Sequence, residues 1–332
     1  MAAGGPPSPW RVVFLDAATL HRDGDVSFDG FTARWPCTFH PRTAASETAA
    51  RVAGFQAAVT NKVVFSAELL ARPETADLKL IAVAATGTNN VDVVAARRRG
   101  VAVCNVAGYS GVSVTGHTFA LILELLNRVG DYARDTREGV WSRGPLFVAL
   151  SHTTHDLAGK TLGVVGFGDI GQRVARVAAA FGMEVLYHSR GGTPVSTPGR
   201  RVPLDELLRR SDVVTVHCPL TPETRDLIGA RELALMKPAA CLINAARGGI
   251  VNEAALVAAL RARRLAGAGL DVLTEEPPRA DHPVLAAARE LPNLLVTPHV
   301  AWTTIEARQR LLDEVFQNIA AFEAGEKRNS MW

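Results

Sequence analysis

Short apolar runs recur along the chain, separated by amphipathic stretches. Arg11–Leu15 reads RVVFL, an apolar run with β-branched residues, and predicts a strand. Ala57–Thr60, Leu80–Ala84 and Val101–Cys104 carry the same signal. Val91–Arg99 (VDVVAARRR) predicts a helix, and Gly100 suits the position just past its end. A long helix is predicted over Ser113–Glu138, where Phe119, Ile122, Leu123 and Leu126 fall at helical spacing. Thr161–Val165 (TLGVV) predicts a strand, Ile170–Phe181 a helix and Glu184–His188 a further strand. Strands are also expected at Asp212–His217, Cys241–Asn244, Ala266–Asp271 and Leu294–Thr297. Helices are expected near Glu232–Met236, Glu253–Arg264 and Ile305–Ala324. The first ten residues are small and Pro-rich and read as a disordered lead. Strands alternating with helices predict an α/β fold with parallel sheets. No internal repeat is visible.

Length and composition narrow the picture. At 332 residues the chain is long enough for about two domains with cores of their own. With 48% hydrophobic and 21% charged residues, it is of ordinary globular composition. A net charge of +3 makes no case for nucleic-acid binding. Arg97–Arg99, and Arg261, Arg263 and Arg264, read as solvated helix ends. Cys37, Cys104, Cys218 and Cys241 are too scattered for a disulfide framework and form no C-x-x-C pair, so no structural metal is expected. The start lacks a signal-peptide pattern, and the longest apolar run, Phe119–Leu126, is broken by Glu124. The expectation is a cytoplasmic protein with no membrane partner.

The chemistry begins at Gly166-Phe-Gly-Asp-Ile-Gly171, a G-x-G-x-x-G run between a predicted strand and a predicted helix. In that context Gly166 permits a tight turn, Gly168 lets a pyrophosphate approach the backbone, and Gly171 lets helix and strand pack closely. The helix N-terminus offers N–H groups and a positive dipole end to the phosphates. A dinucleotide site follows. An acid at the end of the next strand would bind the ribose 2′-OH of NAD, but here the chain reads Tyr187-His188-Ser189-Arg190. Ser189 can donate to a 2′-phosphate and Arg190 can pair with it. These residues favour NADP(H), with NAD(H) as the alternative; Arg200 and Arg201 could add to the pocket.

Three polar residues then follow predicted strands: Arg247, Glu276 and His299. Ligands of open α/β sheets bind beyond the carboxyl ends of the strands, so the three can converge on one crevice. These segments carry a resemblance. GFGDIG, VHCPLTPETRDLIG (Val216–Gly229), MKPAACLINAARGGIVNE (Met236–Glu253), LDVLTEEPP and TPHVAW together resemble the D-isomer-specific 2-hydroxyacid dehydrogenase family, from about Val12 to Phe322. Leu78–Asp92 and Val103–His117 are most similar to glycerate dehydrogenases (hydroxypyruvate reductases).

The resemblance implies an NAD(P)-dependent oxidoreductase reducing small 2-oxo acids such as hydroxypyruvate and glyoxylate. Alternatives are a broader reductase of larger 2-oxo acids, or a non-catalytic NAD(H) sensor on the same fold. His299 would be the general acid and base, the role to which an imidazole is suited in both directions. Glu276 would pair with it and fix its ring, and Arg247 would grip the substrate's oxygens with its planar fork. Backbone N–H groups of Thr86 and Gly87 would help hold the substrate carboxylate. Asp271 would meet the nicotinamide carboxamide, Ala245 and Ala246 the nicotinamide ribose side, Cys218 and Pro219 the adenine side, and Asp169 and Ile170 the pyrophosphate. Cys218 is read as apolar packing, not as a nucleophile. Trp302 would shape the substrate pocket or pack in the core. Ser189 in place of an acid and Gly116 before His117 depart from the family pattern.

The expected architecture is two Rossmann-like domains. Residues 1–105 and 300–332 would form a flavodoxin-like substrate domain, with a dinucleotide-binding domain, residues 106–299, inserted into it. The resemblance also implies a homodimer, with the long helix near 113–138 involved.

Overall fold

In the computed structural model the described residues are 10–191 and 197–331, so most of the expected N-terminal lead lies outside them. The chain divides into two compact units, residues 1–110 with 303–332 and residues 111–302. These divisions fall a few residues beyond the expected 105/106 and 299/300.

The first unit holds a five-stranded parallel sheet. Its strands are β1 (Val12–Phe14), β2 (Cys37–Phe39), β3 (Ala57–Thr60), β4 (Leu80–Val83) and β5 (Ala102–Cys104), in the order β2-β1-β3-β4-β5. β1, β3, β4 and β5 are wholly buried, which is why they read as continuous apolar runs. β2 is half-buried and short, and its CTF sequence carries no periodicity to announce it. One core cluster joins Val13, Ile81, Val83, Phe65 and Ala96. Another group is aromatic: Phe14 lies 4.7 Å from Phe39 and 5.1 Å from Phe31, which lies 5.5 Å from Phe316 of the last helix, Ile305–Glu323. Beyond the ends of β1 and β3, the buried Asp16 carboxylate accepts the backbone N–H groups of Asn61, Lys62 and Val63 at 2.9, 2.6 and 3.2 Å. Burial outweighs those bonds and pushes its pKa up. Arg97 and Arg98 are exposed in the last turn of the helix Val93–Arg98, where their charge complements the helix dipole.

The second unit holds a seven-stranded parallel sheet. Its strands are β6 (Thr161–Val165), β7 (Glu184–His188), β8 (Arg200–Arg201), β9 (Val213–Val216), β10 (Cys241–Asn244), β11 (Gly267–Leu270) and β12 (Leu294–Val296). The order β12-β11-β10-β9-β6-β7-β8 reverses direction at β6, which pairs with β7 on one side and β9 on the other. One buried cluster includes Leu186, Leu207, Val214, Leu242, Leu256 and Leu270; a second includes Ile122, Leu162, Val174, Val213 and Ile243.

The long helix expected over Ser113–Glu138 is two helices, Gly111–Asn127 and Val129–Arg137. Arg128 breaks it in a left-handed conformation at φ 57°. The Glu124 carboxylate accepts the N–H of Gly130 at 3.0 Å, and Arg128 Nε meets Asp131 at 2.7 Å. These two side-chain bonds accompany the break at Arg128, and the chain restarts as a helix at Val129. β8 and the helices Leu204–Arg210 and Pro283–Glu290 had no prediction. Among the described residues, no helix is long and apolar enough to cross a membrane, and no cluster of His, Cys, Asp or Glu could hold a metal ion.

Candidate active site

The reversal of strand order at β6 is where an open α/β sheet leaves a crevice beyond its strand ends. Here β6 runs directly into the glycine run. Gly166 turns the chain at φ 95°, and a Cβ there would fall 2.5 Å from Cys218 N and 2.6 Å from the His217 carbonyl carbon. A Cβ on Gly171 would fall 2.2 Å from Gly166 O, so the helix Asp169–Ala180 can start this close to the strand only with glycine. Gly168 is different: no atom lies within 4 Å of where its Cβ would be. That open space sits at the N-terminus of a helix that has no side-chain cap. The residues therefore fit a dinucleotide pyrophosphate, which the backbone N–H groups of Gly168, Asp169 and Ile170 would hold. Asp169 is exposed and pairs with Arg173 at 2.9 Å, while Ile170 is half-buried.

Beside this turn, the chain leaves β9 through His217, Cys218 and Pro219. His217 Nε2 lies 2.9 Å from Thr215 Oγ1, and burial pushes its pKa down to about 4, so the ring is neutral. Burial pushes the Cys218 thiol up, consistent with an apolar residue and not with a nucleophile. Pro219 is exposed, Ala245 buried and Ala246 half-buried.

At the end of β7, Ser189 is half-buried and its carbonyl accepts a bond from Arg201 at 2.6 Å. Arg190 is exposed; it donates to Thr221 Oγ1 at 3.3 Å and lies 3.5 Å from the Glu223 carboxylate. Glu223 was missed in the sequence. It is far from Ser189 along the chain, and only the loop after β9 brings it to Arg190. Arg200 is turned to Glu206 at 3.0 Å.

The three polar residues follow β10, β11 and β12, neighbours in the sheet. Arg247 is half-buried; its Nη1 donates to Ala246 O at 2.7 Å, and its own carbonyl accepts from Asn244 Nδ2 at 2.9 Å. Glu276 Oε1 accepts the Leu273 N–H at 2.9 Å, and its Oε2 lies 2.7 Å from His299 Nδ1. The His299 side chain is 23% exposed and that of Glu276 34%, so the pair is partly open to solvent. A carboxylate on Nδ1 selects the tautomer with the proton there, leaving Nε2 as the atom that exchanges protons with a ligand.

Asp271 underlies this arrangement. Its side chain is fully buried; Oδ1 accepts from Thr297 Oγ1 at 2.6 Å and Val300 N at 2.9 Å, and Oδ2 from Ala301 N at 2.8 Å. Burial by itself would raise its pKa, but these bonds and His117, 3.4 Å away, hold it below the usual carboxylate range. Asp271 thus fixes the loop that carries His299, a task invisible in the sequence because its partners lie some thirty residues on. Trp302 is buried. Thr86 and Gly87 belong to the first unit, on the loop after β4, where Thr86 Oγ1 donates to Val106 O at 3.0 Å.

Residues 119–301 match the NAD binding domain of the D-isomer specific 2-hydroxyacid dehydrogenases. Over 320 residues the chain is 41% identical to a glycerate dehydrogenase of Methylorubrum extorquens, covering 96% of this chain and 98% of the other. The chain belongs to this family. It is also 35% identical over 324 residues to a hydroxypyruvate reductase of Blautia hydrogenotrophica, covering 96% of this chain and 98% of the other. Among solved structures, an acyclic imino acid reductase in complex with NADPH and D-Arg superposes with a TM-score of 0.84 at 26% identity, covering 97% of this chain and all of the other. The expected α/β class and the expected kind of enzyme, a nicotinamide-dependent 2-hydroxyacid dehydrogenase, therefore hold.

Proposed function

We propose that this dehydrogenase reduces hydroxypyruvate and glyoxylate to D-2-hydroxy acids with NAD(P)H. The observation that carries the reading is the His299–Glu276 contact at 2.7 Å beyond β11 and β12, with Arg247 beyond the adjacent β10. Similarity to a glycerate dehydrogenase and a hydroxypyruvate reductase over 96% of the chain supports the substrate class. The bound nicotinamide supplies the hydride. Arg247 binds the substrate carboxylate and carbonyl oxygens through its guanidinium, and Thr86 and Gly87 assist through backbone N–H groups. His299 gives the Nε2 proton to the carbonyl oxygen as the hydride reaches the adjacent carbon. Glu276 accepts the Nδ1 proton's hydrogen bond throughout, and Asp271 holds the His299 loop. In oxidation the same proton returns to Nε2.

The cofactor reading rests on Ser189 and Arg190, with no acid at the end of β7: NADP(H) is preferred, with Arg190 leaving Glu223 for the 2′-phosphate. The protein acts in the cytoplasm, where its free cysteines stay reduced. It forms a homodimer, supported by the exposed apolar side chains of Trp141, Leu146, Phe147 and Leu150.

The test is initial-rate oxidation of NADPH and NADH with hydroxypyruvate, side by side, for the wild type and His299→Ala. Turnover should be faster with NADPH. His299→Ala should lose about 10²- to 10⁴-fold in kcat while still binding cofactor. Full turnover in that variant would refute the role of His299, and NADH-only turnover would refute the cofactor preference.

A further inference from the structure

Glu253 opens the helix Glu253–Arg261 and has no part in the chemistry above. The helix does not need it as a cap, because Asn252 Oδ1 already accepts the Ala255 N–H at 2.9 Å. Its carboxylate, with the side chain 16% exposed, is spent elsewhere. Oε1 accepts both the backbone N–H of Thr274 at 2.6 Å and its hydroxyl at 2.8 Å. Oε2 lies 3.5 Å from Nε2 of His282, a buried residue. His282 Nδ1 accepts the Val284 N–H at 3.3 Å at the head of the next helix, so in its neutral form its proton sits on Nε2 and faces Glu253.

Thr274 stands two residues before Glu276 on a loop whose residues 274–277 are exposed. Burial cannot hold such a segment, so its polar anchors decide where Glu276 lies. The next link is short: Leu273 N donates to Glu276 Oε1 at 2.9 Å. The residue after Arg247 abuts the same peptide. A Cβ on Gly248 would fall 1.9 Å from Leu273 O and 2.5 Å from Thr274 N.

We propose that Glu253 is a positioning residue for the acid–base pair: by clamping Thr274, it sets the Glu276 carboxylate on His299 Nδ1 in register with Arg247. The proposal rests on the function given above. The groups around the pair are Glu276 on the clamped loop, Asp271 with its partner His117 beneath the His299 loop, and Glu253 with His282 behind Thr274.

The experiment compares Glu253→Ala, Glu253→Gln, Glu276→Gln and the Glu253→Ala/Glu276→Gln double variant. The readouts are kcat and KM for hydroxypyruvate, the Kd of reduced cofactor by fluorescence, the pH profile of kcat, and amide exchange across 272–278. Glu253→Ala should lower kcat about tenfold and leave cofactor Kd unchanged. Its kcat profile should move in the same direction as that of Glu276→Gln, because a carboxylate beside imidazole favours the protonated ring. Glu253→Gln, which keeps an acceptor oxygen, should recover most of the rate. The double variant should be no slower than Glu276→Gln alone, as expected of residues acting through one contact. Multiplying defects, or a lower Tm with an unmoved pH profile, would overturn the proposal in favour of a purely structural role. Amide exchange reads the clamp without activity: protection at Thr274 should fall in Glu253→Ala, and unchanged protection would also overturn it. Full turnover in Glu276→Gln or His299→Ala would instead overturn the underlying function, leaving the exchange result to judge the clamp.

Discussion

Gly168 and Gly171 share one motif but answer to different forces. At Gly171 a methyl group would meet a backbone oxygen at 2.2 Å, so Gly171→Ala must push strand and helix apart. At Gly168 the same methyl group meets nothing within 4 Å. Gly168→Ala should therefore fold with an unchanged Tm but raise the Kd for NADH about tenfold, since its methyl group would occupy the space proposed for the pyrophosphate. Gly171→Ala should lower the Tm as well. Thermal melts and fluorescence titration of the two variants separate these outcomes. Arg190→Ala should weaken NADP(H) binding about tenfold, one charge-assisted contact, and leave NAD(H) nearly untouched. Both glycines are legible in the sequence, because a motif fixes them by local spacing, and Arg190 is picked out as a candidate by the absence of an acid after the next strand. Glu223 is not, because its approach to Arg190 depends on a loop from another strand.

At the scale of elements, the residues proposed for the chemistry lie on the loops after β10, β11 and β12, and those loops are set by the strands beneath them. The strands are apolar on both faces and announce themselves. The elements that cover them do so less clearly. Leu204–Arg210 has one turn of apolar residues, yet Leu207 is fully buried against β6, where a Cβ on Gly163 would lie 2.4 Å from its side chain. Leu207→Ala should cost about 2–5 kcal/mol, seen as a lower urea midpoint with an unchanged slope. The helix broken at Arg128 shows the opposite case: periodicity carried the prediction through a position where local hydrogen bonds stop the helix.

Across the whole molecule, the first unit is assembled from the two ends of the chain. Arg308, only 8% exposed, donates to Asp25 at 2.8 and 2.6 Å and to Leu20 O at 3.1 Å. The guanidinium holds the Asp25 carboxyl well below the usual carboxylate range. A depressed folded pKa contributes stability that is complete above the unfolded value, near about 4, and is lost progressively as pH falls from there through the lower folded value. Asp25→Asn should lower the Tm at neutral pH, because a nearly buried cation loses its counter-charge. Its melting curve should converge with the wild type as the pH falls toward about 2, and parallel curves would refute the linkage.

The sequence by itself determined the α/β class and the glycine run between strand and helix, and it singled out Arg247, Glu276 and His299 as the residues proposed for the chemistry. Those features are written in local spacing, which follows from strand and helix periods and from the few residues that tolerate a given turn. The tertiary structure alone decided which partners those residues keep. Asp271 gathers Thr297, Val300 and Ala301; Glu223 reaches Arg190; Glu253 clamps Thr274. Each of these contacts joins segments that only parallel strand order brings side by side, and crossover connections leave no periodic trace in the chain.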